Sequence, residues 1–225
     1  MVLACPDGVS EIVWLRSVLS AAGIAGAQHL GMFTSGPFVS EFDQEAAAPI
    51  LLEVLPLLAE SWMVGAVVRH LGKHRADPQR FAVLLHTYRQ WLPIDPWLCD
   101  SIGAALIVAA VPPDHQHVTD VLDLVPDSSV RRARRSIVDG LWRLRQDVRV
   151  VPALVELCGD DDVCDLAMPA LRRAIGNAEA RPLLAQRRDT TASDYVRAHT
   201  ARQERLAANN PRPRRIRSSP PIGAG

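Results

Sequence analysis

PALVELC, residues 152–158, is a degenerate copy of PILLEVL, residues 49–55. Both place Pro, two aliphatic residues, Glu and a further apolar residue in the same order. Two weaker copies lie between them, LLHTY at 84–88 and VLDLV at 121–125, so that blocks beginning at 51, 84, 121 and 154 follow one another after 33, 37 and 33 residues. Each block leads into an acidic or Pro-bearing turn and then a second apolar anchor: Trp62, Trp97, Val130 or Val163, spaced by 35, 33 and 33. A period of this size corresponds to one supersecondary unit that cannot bury its apolar face alone. The unit reads as helix, turn, helix.

The turns carry the expected punctuation. Asp77-Pro78 and Asp95-Pro96 set a capping carboxylate before a first-turn proline. Asp127 and the run Asp160-Asp161-Asp162 precede Val130 and Val163, where acidic groups suit a positive helix start. Ser40 with Asp43 reads as a capping box. Residues 9–22 form a lone helix, and 180–188 with 192–208 supply a fifth unit. Hydrophobic residues make up 48% of the 225 and aromatics only 5%, which favours helices with a sizeable core. The predicted division is an N-terminal helix and loop over 1–45, a helical array over 46–208, and a disordered Pro/Arg/Ser tail over 209–225.

DSSVRRA (127–133) and DDDVCDLAMPAL (160–171) resemble the second helix of HEAT repeats, and VVPALVEL (150–157) resembles the first. The resemblance covers residues 46–188 and is strongest after 114. It departs from the motif at Cys164, where Arg is usual, and at Trp62 and Trp97, where small aliphatic residues are commoner. It implies an all-α fold: a right-handed α-solenoid of about four to five HEAT-like hairpins with an N-terminal capping helix, of bacterial type.

Charge is divided along the chain. Residues 1–130 hold 6 basic against 14 acidic groups, a balance of −8, and 131–225 hold 19 against 11, a balance of +8. The densest basic stretch is DSSVRRARRSIVDGLWRLRQD, 127–147. Read as one helix over 128–145, it puts Val130, Ala133, Ile137, Leu141 and Leu144 on one face. Arg132, Arg135, Asp139 and Arg143 fall on the other, with Asp139 four residues from each of two arginines. The following second helix offers Asp165, Met168 and Arg172. Second helices line the concave side of a solenoid, so these seven residues are the candidate partner-binding groove. Residues 97–111 are apolar nearly all round, as a central helix would be, which leaves a dimer contact open.

Other residue clusters have plainer readings. His70 and His74 lack a carboxylate or Cys at ligand spacing, and His115 and His117 open a polar helix. Cys5, Cys99, Cys158 and Cys164 form no framework and read as free thiols in a reducing cytoplasm. Trp62, Trp97 and Trp142 read as core or groove wall. No catalytic constellation, metal set or cofactor motif stands out, and the apolar run 102–111 is about half a bilayer span. The expectation is a cytoplasmic, non-catalytic scaffold or adaptor that binds a protein partner in its groove, without cofactor or membrane. Nucleic-acid binding is expected to be weak. The alternative is a DNA-binding protein or an enzyme like the alkylpurine DNA glycosylases on a HEAT-like fold, with Trp142, Asp139 and the arginines as its nearest ingredients.

Overall fold

The computed structural model describes residues 5–29, 42–72, 78–126 and 131–209. Among these there are helices and turns and no strand. Ser40, His74, Asp77, Asp127, Val130 and the tail from 210 onward lie outside the described residues, with the readings attached to them. Internal contacts divide the chain into two compact units, Met1–Val150 and Val151–Gly225.

The first unit runs α1 (Glu11–Ala21), α2 (Gln44–Val54), α3 (Ser61–Leu71), α4 (Pro78–Trp91), α5 (Pro96–Ala109), α6 (His115–Asp123) and α7 (Arg135–Gly140). The blocks at 51, 84 and 121 fall in or at the end of α2, α4 and α6. Trp62 and Trp97 open α3 and α5. Helix starts follow the carboxylates. Asp95 accepts from the backbone N–H groups of Trp97 and Leu98, both at 3.1 Å, ahead of Pro96. Asp114 does the same for Gln116 and His117 at 2.7 and 3.0 Å. These two bonds, the one from His117 foremost, hold the Asp114 carboxyl below its ordinary range. Asp43, the second member of the expected capping box, is itself the cap of α2, accepting from Ala46 N at 3.0 Å.

α2 packs on α3, and α4 on α5. The second helices also pack on one another, α3 on α5 and α5 on α7. α5 therefore has α3, α4 and α7 around it, which accounts for its apolar circumference and its buried Cys99, Ile102, Leu106 and Ile107. α1 buries Trp14, Leu15 and Leu19. Its Glu11 carboxylate accepts from Ala59 N and Glu60 N at 2.5 and 3.1 Å, satisfying backbone donors at the entry to α3. A second tie joins α6 to the turn after α7. The Arg149 guanidinium donates to Asp147 at 2.8–2.9 Å, to Thr119 Oγ1 at 2.7 Å and to the His115 carbonyl at 2.9 Å.

The second unit holds α8 (Val150–Leu157), whose first residue closes the first unit, then α9 (Cys164–Ile175), α10 (Asn177–Thr190) and α11 (Asp194–Asn209). α10 and α11 form a hairpin, and α9 packs on both. The block 154–158 lies in α8 and the turn behind it, with Leu154 fully buried. Cys158 and Cys164 are buried as expected of small apolar residues. Burial pushes their thiols up to about 12 and about 11. Arg187 reaches back from α10 to donate to the Val155 carbonyl at 2.9 Å, lying where a side chain at Gly159 would stand.

Candidate binding surface

The register between second helices defines the surface. A Cβ built on Gly65 would lie 3.4 Å from Leu98 Cδ1, and one on Gly72 would lie 3.2 Å from the Ala105 Cβ. Both contacts join positions 33 apart, so α3 and α5 run parallel and in step. The same holds for the next pair of second helices: a Cβ built on Gly103 would lie 2.9 Å from Ile137 Cγ1 and one on Gly140 would lie 2.6 Å from Ile107 Cγ2, offsets of 34 and 33. Missing side chains at these glycines let the backbones approach closely. The helix-to-helix offsets of 33 and 34 lie close to the anchor spacings of 33 to 35, with Trp62 and Trp97 two residues out of step with the stacking of α3 on α5.

Asp100 reinforces the step. It is half-buried on α5, and its Oδ1 accepts from Ser136 N at 2.9 Å in the first turn of α7. The Arg134 side chain makes no capping bond there, so the cap comes from the neighbouring repeat. This corrects the expected single helix over 128–145. Residues 131–134 are a turn, α7 spans six residues, and Leu141–Leu144 is a 3-10 segment. At about three residues per turn, the segment carries Arg143 off the α-helical spacing that would stack it one turn beyond Asp139.

The predicted faces nevertheless separate. Ala133, Ile137, Leu141 and Leu144 are buried. Arg132 and Arg143 are exposed, and Arg135 and Asp139 are half-exposed. Arg134 departs from its neighbours: at 1% exposure it is an interior side chain, and its Nη1 donates to the Val125 carbonyl at 3.1 Å. In the second unit Asp165 is half-buried. Met168 is fully buried, with Thr200 Oγ1 of α11 at 3.7 Å from its sulfur. Arg172 donates to Asn177 Oδ1 at 2.9 Å and to Gln203 Oε1 at 2.6 Å. α11 has stacked on this side of α9, so Met168 supports the unit from within and does not line a groove.

Of the two readings the sequence left for the tryptophans, core or groove wall, Trp62 and Trp97 do not take the first. Trp62 is 50% exposed and Trp97 is 65% exposed. Both stand in the first turn of their helices. Each is held by a specific contact. The Trp62 indole N–H donates to the Glu60 carboxylate. The Arg132 guanidinium lies 3.4 Å from the Trp97 ring centroid, in cation–π contact. Trp142 is half-buried, with Arg143 and Arg145 at 5.0 and 5.9 Å from its ring. Leu57 and Ile94, in the turns before α3 and α5, are exposed as well. The sequence offered one signal for this cluster: Trp62, Trp97 and Arg132 recur at intervals of 35.

The histidines are held by packing. His70 is buried with its ring 4.9 Å from Phe42, and His117 stacks on Phe81 at 4.0 Å. Among the described residues no group of three or more His, Cys, Asp or Glu is placed to hold a metal ion, and no helix is long and apolar enough to cross a membrane. No family model, no curated protein and no solved structure matches this chain.

Proposed function

We propose that the chain is a non-catalytic scaffold or adaptor of HEAT-like class. In this reading four to five hairpins wind as a right-handed α-solenoid, and the second helices hold a protein partner along their free, concave face. The observation that carries it is the parallel, in-step stacking of α3, α5 and α7. Stacking of that kind leaves one extended surface for recognition. On it stand Trp97, Ser101 and Ala104 of α5, Arg132 ahead of α7, Arg135 and Asp139 of α7, and Arg143 beyond it, all exposed or half-exposed. Asp165 and Arg172 are the candidates of the second unit. A protein partner is favoured over duplex DNA because the basic supply is partly committed: Arg134 is interior, Arg132 covers Trp97, and Arg149 is bound to Asp147. Four free cysteines suit a reducing cytoplasm.

Photocrosslinking tests the face. A photoreactive residue at Ala104, exposed on α5, is expected to capture the partner in cells. One at His86, exposed on α4, is expected to capture none. The reverse pattern rejects the second-helix face as the binding surface.

A further inference from the structure

The rung between Trp97 and Arg132 is already filled, and its chemistry indicates what the next rung takes. Trp62, Trp97 and Arg132 are 35 residues apart, whereas α3 and α5 stack with an offset of 33. Trp97 therefore sits two residues, about 3 Å, further along its helix than Trp62 does. The two axes are about 8–10 Å apart at such a contact. Resting on the protein-binding reading, we infer that Trp62 with Glu60 receives an arginine of the partner, carried on a linear segment between apolar side chains.

Five observations support this. The Trp62 ring is half-exposed. Its indole N–H is bonded to the Glu60 carboxylate, which orients the ring and sets a negative charge at its edge. A guanidinium over that face meets both the ring quadrupole and the carboxylate. Leu57, Ile94 and Trp97, exposed on the same end of these hairpins, offer apolar surface to flanking side chains. Residues 1–130 carry 6 basic against 14 acidic groups, so a cationic segment is drawn to this half and an anionic one is repelled. One rung on, Trp97 already accepts the guanidinium of Arg132 within the molecule.

The test is fluorescence anisotropy with the full chain and a labelled synthetic peptide in which a single arginine is flanked by leucines. The control peptide carries uncharged citrulline in place of the arginine. The expected result is saturable binding of the arginine peptide that weakens roughly three- to thirty-fold with citrulline and with Trp62→Ala. Trp62→Phe is expected to keep part of the affinity and Glu60→Gln to lower it, with the thermal midpoints of all three variants near that of the parent. Equal binding of the two peptides, equal binding by Trp62→Ala, or no binding at all overturns the inference. If crosslinks from Ala104 persist while the arginine peptide fails, the scaffold reading stands and only this assignment falls. Loss of the crosslinks removes the scaffold reading itself.

Discussion

Gly140→Ala probes the contact that keeps α5 and α7 in step. Gly140 has ordinary right-handed helical backbone, φ −85° and ψ −18°, so alanine is sterically allowed and by helix propensity alone would stabilise by about 1 kcal/mol. The tertiary contact opposes this. The new Cβ would lie 2.6 Å from Ile107 Cγ2, 3.0 Å from its Cγ1 and 3.1 Å from its Cβ. Ile107 is 1% exposed in the middle of α5, and its β-branch is fixed to the helix backbone. Relief requires α7 to move, and overpacking of this kind costs about 1–3 kcal/mol. The net expectation is a loss of up to about 2 kcal/mol, in place of the gain that propensity alone would give. Ile107→Ala alone should cost about 2–5 kcal/mol, chiefly through the cavity it leaves. In that background Gly140→Ala should become neutral or stabilising, a coupling of about 1–2 kcal/mol. Urea unfolding followed by far-UV circular dichroism measures all four corners of the cycle, provided the slope m is unchanged. Full stabilisation by Gly140→Ala in the parent, or an additive cycle, would refute the in-step packing of these helices.

Further expectations concern the core, the pH response and the two functional readings. Leu154→Ala, at a fully buried position of α8, should destabilise by about 2–5 kcal/mol in the same assay. A change under about 0.5 kcal/mol would put the fourth block in the wrong register. Arg149 bonds hold the Asp147 carboxyl down to about 2, below the ordinary value of about 3.9. Its contribution to stability is therefore complete above about pH 4 and is lost as pH falls through about 2. Thermal midpoints against pH should show this loss in the parent and its absence in Asp147→Asn. Reversing Arg135 and Arg143 to Glu should leave the midpoint close to the parent's and abolish partner capture. A stable variant that still captures the partner would reduce this face to solvated charge. Duplex DNA should bind weakly and lose affinity with salt, because each neutralised phosphate adds about 0.9 to the slope of log affinity against log salt. Tight binding at physiological salt, or release of an alkylated base, would favour the DNA reading.

What the sequence determined by itself is whatever local periodicity and chain stiffness control. Apolar residues three and four apart place the helices, with blocks at 51, 84, 121 and 154 in or ending α2, α4, α6 and α8, of which α2 and α4 pack on the helix that follows. Asp95 before Pro96 starts α5 where their chemistry requires. The inward face of the basic stretch, Ala133, Ile137, Leu141 and Leu144, is legible because burial of one helix face needs only the 3.6-residue period. Tertiary structure decided the rest, because it depends on which neighbour covers a face. Trp62 and Trp97 have the composition of a core but stand exposed at helix starts. Met168 matches a groove position on the wheel, yet α11 closes over it. Arg134 sits between exposed arginines and turns inward because the Val125 carbonyl is there to accept its bond. The helix expected over 128–145 starts late and tightens early, since Asp100 of the previous repeat caps it and Gly140 must pass Ile107. The tryptophans apart, each of these outcomes is a contact between residues 9 to 36 positions apart, a distance over which local periodicity carries no information.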